Sequence, residues 1–401
     1  MQTTQETPSE LRPEQVRMIQ VGTIIALTAF IVLTVHFTMP NRTGWDFRTN
    51  LHGPAFMVAE GMSAYDTRIT GYPDGVWFPT IVGQFFWLGW LPLDMATVAW
   101  TVATAFAFPF ALFLIMPRNP SPILLGTLML LIPIFPPFNY HYALAQVSVY
   151  TMLLLILACI SLEREKYILV GILFGLASGK PQLILLPVLG FAIALWRMGG
   201  WQAWLKVIIA GALTGILSLV PLFIADPNWL TDFFATVDNI PEWQRPSYLD
   251  LFVINFGSIG NYMFAVLCTV IIAINTWIWF KLPLRLAFLW CMTLNLVAIP
   301  LVWSWDFVML LPLYVYYLLD LKSVVARILL IILFSVCIIA SIGVNTFLGE
   351  AYYHWWIPTF MILSILIAIG VERYFSPKPE THSEARNEQS TLVRNLLSKS
   401  N

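Results

Sequence analysis

Charge is scarce in this chain. Only 11% of its 401 residues are Asp, Glu, Lys or Arg, 59% are apolar, and the mean hydropathy is +0.77. An ordinary soluble domain carries roughly 25% charged residues, and a water-soluble fold cannot hide this much apolar surface. Positive charge is not in excess either: 21 Lys and Arg face 22 Asp and Glu, for a net charge of -1. That balance excludes a nucleic-acid partner, because neutralising phosphates takes a basic surface. Cysteine is equally sparse. Cys159, Cys268, Cys291 and Cys337 lie singly inside apolar runs, which excludes a disulfide framework or a metal knuckle. No clustered Asp, Glu and His stand at ligand spacing, so neither a metal nor another cofactor is indicated.

What the chain has instead is long apolar runs. Val21 to Met39, Leu205 to Ala225 and Val324 to Leu348 are each long enough to cross a hydrocarbon core of about 30 Å, and spanning segments of this kind must be helices. Windows of this type fall at 18–39, 95–116, 121–137, 146–162, 167–179, 181–196, 204–225, 259–280, 284–303, 307–320, 324–348 and 356–372. The expected fold is therefore all-α, a polytopic membrane bundle of about 12 transmembrane helices. The first run follows a polar head, ends in Pro40 without a small-residue cleavage pattern, and exceeds the apolar region of about 7–15 residues of a signal peptide. It reads as a retained span. Residues 77–93 are apolar but interrupted by Pro79, Gly83, Gly89 and Pro92, which favours a re-entrant or juxtamembrane segment.

With the N-terminus inside, Arg118, Arg164, Lys166, Arg197, Lys206, Lys281, Arg285, Lys322 and Arg327 fall on the cytoplasmic side, as the positive-inside pattern requires. Residues 1–17 are then a cytoplasmic segment, 18–373 the transmembrane domain, and 374–401 a polar, disordered cytoplasmic tail. Two long extracytoplasmic segments remain, 40–94 and 226–258, rich in Trp, Tyr, Pro and Asp. Segments of this length amid short connections carry function more often than they merely link.

The candidate chemistry sits on that outer side. Asp46 lies in Gly44-Trp45-Asp46-Phe47-Arg48, where a partly desolvated carboxylate is suited to general-base work; a helix cap or a surface ion pair with Arg48 is the plainer reading. Leu51, Ala55, Phe56 and Ala59 recur at helical spacing before Gly61, a C-cap candidate, and Tyr65. They describe a short amphipathic helix in the membrane interface. His141 and Gln146 fall at the outer mouth of the third and fourth spans, where His141 on its own reads as an interfacial histidine rather than a ligand. Lys180 stands on the side that the positive-inside pattern avoids; it either snorkels or binds phosphate. Trp305 and Asp306, in Trp303-Ser304-Trp305-Asp306, suit a sugar held between aromatic faces and a carboxylate, or an interface belt with a capping Asp.

The order of these stretches resembles glycosyltransferase family 87, within the C superfold of polyprenyl-phosphate-sugar-dependent glycosyltransferases. The stretches are Asp46 with the helix ending Ala59-Glu60-Gly61 and Tyr65, then Trp77-Phe78-Pro79, Leu144-Ala145-Gln146-Val147-Ser148, Gly175 to Pro181, and Ser304-Trp305-Asp306. Two departures stand out: the family's usual Gly-Gln reads Ala145-Gln146, and its usual Ser-Trp-His reads Ser304-Trp305-Asp306.

The resemblance implies an inverting transfer of a hexose, mannose in the first instance, from a polyprenyl-phosphate sugar donor to an extracytoplasmic glycan or glycolipid acceptor. Asp46 would be the catalytic base, and Lys180, with Arg48 or Arg245, the cation for the leaving phosphate. The site would face outward from the cell membrane with both termini cytoplasmic. No nucleotide-binding glycine loop is needed when the donor is lipid-linked. A secondary transporter or lipid flippase also has about twelve spans, but gathers ionisable groups near the midplane rather than in outer loops. A non-enzymatic membrane assembly subunit is the third reading.

Overall fold

The computed structural model describes residues 13–38, 44–66, 77–117, 122–238, 244–349 and 351–375. The expectations placed on the first twelve residues, on Arg42, Arg68 and Arg118, and on the tail beyond residue 375 lie outside the described residues. Every regular element among the described residues is helical.

A helix α1 (Pro13–Thr38) is followed in the first long loop by α2 (Trp45–Phe47), a π-helical turn (Arg48–His52) and α3 (Gly53–Ala59) in direct succession. Next come α4 (Pro79–Gln84), a 3-10 turn (Phe86–Trp90), α5 (Leu93–Ile115), α6 (Pro122–Ile134), α7 (Pro136–Leu144), α8 (Ser148–Glu163) and α9 (Tyr167–Ala177). A 3-10 turn (Pro181–Ile184) leads into α10 (Leu185–Ala225), then α11 (Trp229–Asp238), α12 (Tyr248–Phe256), α13 (Ile259–Lys281) and α14 (Leu284–Ala298). After a 3-10 turn (Ser304–Leu310) follow α15 (Leu311–Asp320), α16 (Val324–Phe347), a 3-10 turn (Ala351–His354) and α17 (Ile357–Phe375).

Among the described residues, five segments are long and apolar enough to cross a membrane: Leu93–Ile115, Pro181–Ala225, Ile259–Lys281, Val324–Phe347 and Tyr352–Phe375. Helices α6 and α7 make a sixth if taken as one span broken by a 64° bend. The break follows from the sequence. Pro136 and Pro137 offer no backbone N–H, and Phe135 before them is driven to an extended φ/ψ of -64°/116°. Other apolar windows form shorter helices than the window count assumed. The 16 residues of α8 and the 15 of α14 rise only about 24 and 22 Å. Window 307–320 is a 3-10 turn plus ten helical residues, and windows 181–196 and 204–225 are two halves of α10, parted at Gly200 (φ 57°, ψ -151°).

Small residues set the tightest packing. On α9, Gly171 and Gly175 face the second half of α10, where an added Cβ would lie 2.4 Å from the Val207 carbonyl oxygen and 2.7 Å from that of Gly211. This is a small-residue seam of the kind by which membrane helices approach closely. The main buried cluster runs through α1, α5–α10 and α13–α17. A second cluster lies beneath the first long loop, with Phe47, Leu51, Tyr65, Ile81, Trp100 and Trp229 among its members. On the outside of the bundle, large apolar side chains such as Ile216, Leu217, Val266, Trp277 and Ile339 are exposed, as a face bathed in lipid tails allows.

The short helix expected around Leu51 to Ala59 is longer than the sequence pattern suggested. It begins at Trp45 and contains a π turn. Its end is the expected one: Gly61 at φ 74° accepts the left-handed turn, and the Met62 and Gly61 N–H groups donate to the Met57 and Val58 carbonyls. Leu51 and Ala55 are buried, whereas Phe56 is exposed. Residues 77–93 form only the six-residue α4 and one 3-10 turn, too short to span.

Candidate functional site

Four chain segments meet where the two buried clusters adjoin: the start of α2, the junction of α7 with α8, the turn after α9, and the turn at Ser304. Gly44, at φ 74°, donates its N–H to the Ala143 carbonyl at 2.7 Å. That bond pins the loop to the end of α7 and sets Asp46 in the first turn of α2. Across the gap, α7 closes through Gln146 N–H to the His141 carbonyl (2.9 Å), with Ala145 left-handed at φ 54°, ψ 53°. The turn aims the Gln146 side chain back, and its Nε2 donates to Asp46 Oδ2. Trp100 Nε1 holds the same turn by donating to the Ala145 carbonyl at 2.9 Å.

A left-handed residue with a Cβ is strained by about 1–2 kcal/mol, which gives a physical reason for glycine at this position. Ala145→Gly removes that strain but also a buried methyl and some chain stiffness. The expected melting stability lies within about 1 kcal/mol of the parent, whereas Ala145→Val, β-branched at positive φ, lowers it clearly. Thermal unfolding in detergent reads both.

The second half of the site is a buried ion pair. Lys180 Nζ donates to Asp306 Oδ1 at 2.5 Å and to Ser148 Oγ at 3.1 Å, and Ser148 Oγ donates to the same Oδ1 at 2.5 Å. The Trp303 N–H donates to Oδ2 at 3.0 Å, so Asp306 also caps its own 3-10 turn. Asp306 is fully buried and Lys180 is 7% exposed. Charges withdrawn this far from water persist only when paired and hydrogen-bonded. Lys180 is placed by close packing: an added Cβ on Gly179 would stand 2.7 Å from Ile81 Cβ. Pro181 then keeps Lys180 out of the helical region, at φ -138°, ψ 73°, and Ser178 Oγ reaches Thr80 Oγ1 at 3.1 Å.

Asp46 is half-buried. Burial pushes its carboxyl up to about 6; Lys180 pulls against that rise, Asp306 adds to it, and the Gln146 hydrogen bond opposes it. A carboxylate titrating near 6 is mostly ionised at neutral pH yet basic enough to accept a proton. Gln146 occupies one face of Oδ2, which leaves Oδ1 for another donor.

The remaining sequence candidates fall in four places. His141 is fully buried beside this group, its ring facing the Trp305 backbone without a well-formed hydrogen bond; Trp305 Nε1, on a ring stacked on Trp303 at 4.9 Å, also lacks one. Arg48 does not pair with Asp46: its Nη2 lies 3.5 Å from Asp94 Oδ1. Tyr65 is buried in the second cluster, its hydroxyl donating to the Trp77 carbonyl at 3.2 Å and its ring edge-on to Phe233 at 5.1 Å. Arg245 stands ahead of α12, its N–H donating to Asp250 Oδ2 at 2.5 Å. No contact among the described residues joins it to Asp46 or Lys180. Ser148, which bridges Lys180 and Asp306, was not singled out from the sequence; its signal was its place two residues after Gln146, at the start of a helix.

A helical chain with membrane-length apolar segments that gathers a carboxylate, a buried lysine and indole rings has the parts of a group-transfer enzyme. The model of glycosyltransferase family 87 matches residues 78–304. This is more than half of the chain, and the protein belongs to that family: it is a membrane glycosyltransferase. The match takes in His141, Gln146, Ser148 and Lys180, while Asp46 precedes it and Asp306 follows it by two residues. No curated protein and no solved structure matches the chain.

Proposed function

We propose that the enzyme moves a hexose, mannose as the first candidate, from a polyprenyl-phosphate sugar to an extracytoplasmic glycan or glycolipid acceptor, inverting the anomeric carbon. Asp46 is the base. An acceptor hydroxyl donates to its free Oδ1 and passes its proton there as the new carbon–oxygen bond forms. The bond from the anomeric carbon to phosphate oxygen breaks, and the electron pair leaves on the lipid phosphate. That phosphate is already a good leaving anion and needs a cation rather than an acid. Lys180 has three N–H donors; two are held by Asp306 and Ser148, and the third supplies the contact. Arg48 and Arg245, on the two long loops, are the further cations proposed for the phosphate. His141 and Trp305 offer buried, unpartnered polar atoms to the sugar hydroxyls, since buried polar groups without partners are few. Tyr65 forms part of the wall.

The observation that carries this reading is the Asp46 carboxylate, pinned by Gln146 and adjoining a buried lysine. About twelve crossings, with cytoplasmic termini and the site on the outer side, complete the proposal. The break of α10 at Gly200 supports it, lying between Arg197 and Lys206 where a cytoplasmic turn is expected.

Membranes carrying the protein, given radiolabelled polyprenyl-phosphate mannose, are expected to yield a labelled, lipid-extractable or glycan product of inverted configuration. Polyprenyl-phosphate glucose and galactose serve as comparisons for the choice of sugar. Label incorporated from a nucleotide sugar with no lipid carrier, or no product from any polyprenyl-phosphate sugar, would overturn the assignment.

A further inference from the structure

At the end of α9 opposite Lys180, about 16 Å along the helix axis, a cavity of about 360 Å³ opens between α9 and the second half of α10. It is lined by Glu165, Lys166, Tyr167, Ile168, Ile172 and Lys206, with Leu169 beside them. Lys166 stands at the N-cap of α9 and Lys206 on α10, and the glycine seam brings the two together, since Val207, next to Lys206, is the residue against which Gly171 packs. Among the described residues neither lysine lies within ion-pair distance of a carboxylate. Both are exposed, as are Ile168 (58%) and Leu169 (39%) on the adjoining helix face.

This combination, two unpaired ammonium groups above an exposed apolar wall at the end of membrane helices, suits a phosphate that arrives attached to acyl chains. We propose that the cavity binds the headgroup of an anionic phospholipid, in the leaflet away from Asp46. Charge decides between headgroups. Two lysines and one glutamate leave the lining at +1, which a headgroup carrying one net negative charge neutralises; a zwitterionic phospholipid leaves the positive charge standing. Glu165 then acts against the ligand. It sits left-handed at φ 54°, with its N–H on the Leu162 carbonyl at 2.9 Å, in the turn that presents Lys166 to the cavity. The inference concerns a different leaflet from the Asp46 group and stands independently of the reaction proposed there.

The test is lipid retention by the full chain in vesicles of phosphatidylglycerol mixed with phosphatidylethanolamine, read by native mass spectrometry of the released protein. Lys166→Gln and Lys206→Gln are each expected to lower bound phosphatidylglycerol about fivefold, and Glu165→Gln to raise it. Inorganic phosphate, lacking chains, is expected not to displace the lipid. Melting temperature separates lost binding from lost folding, because all three side chains are exposed and their removal is expected to leave it unchanged. Equal retention in the parent and both lysine variants would overturn the proposal, as would a preference for phosphatidylethanolamine that Glu165→Gln abolishes. Displacement by inorganic phosphate would assign the cavity to the free anion instead.

Discussion

Replacing Asp46 by Asn is expected to cut sugar transfer about a hundred- to ten-thousandfold with no loss of folded protein. Asparagine keeps the shape and can still meet Gln146, after a flip of either amide, but it cannot accept the acceptor's proton. The parent enzyme should show the matching pH dependence. Because burial pushes the Asp46 carboxyl up to about 6, the working base is lost as pH falls through that value. In a plot against pH, kcat/KM should rise to a plateau above about 7. A rate that Asp46→Asn changes only severalfold, or a profile flat down to pH 5, would remove Asp46 from the chemistry.

The same shift carries a stability consequence of definite sign. The folded carboxyl binds its proton more tightly than the unfolded one does. Stability therefore falls as pH rises from the ordinary carboxylate range through about 6, and above that the ionised group is a standing cost. Asp46→Asn removes it, so the inactive variant should melt no lower than the parent at neutral pH. Loss of activity together with gain or retention of stability is expected of a group held for chemistry rather than for folding. A merely structural Asp46 would show the reverse.

The sequence made the convergence of Asp46, Gln146, Lys180 and Asp306 legible, because hydropathy and positive charge together put their loops at one expected end of the bundle, and the four side chains do meet. It did not disclose the pairing. Arg48 is two residues from Asp46, yet it lies with Asp94, while Asp46 is met by Gln146, 100 residues away. Asp306 reads in the sequence as a sugar-orienting acid or as a capping Asp; it does cap its own turn, and it is also closed on Lys180 and Ser148, which no local pattern shows. Such choices depend on side-chain register between helices remote in sequence, and no local pattern encodes that. Local rules did reach Gly61 at its cap. They failed on helix length, where an apolar window of ordinary size proved to be a short helix or half of a kinked one, and on the π turn inside the first loop. Π turns recur at functional sites, and this one begins two residues after Asp46.

The Lys180–Asp306 pair supports a second large effect, in which stability and activity separate. Lys180→Met leaves a fully buried carboxylate facing Ser148 without its cation, and Asp306→Asn leaves a buried ammonium without its anion. Each single change is expected to cost about 3–5 kcal/mol. Making both removes two buried charges at once, and most of that loss should return in the double variant, a coupling that a double-mutant cycle measures directly. Transfer should not return with it. If the third N–H of Lys180 meets the lipid phosphate, the refolded double variant still lacks the cation on which the leaving group depends, and its kcat stays low. A double variant that regains both melting temperature and turnover would show that the pair only ties α8 to the two turns, and would move the phosphate contact to Arg48 or Arg245.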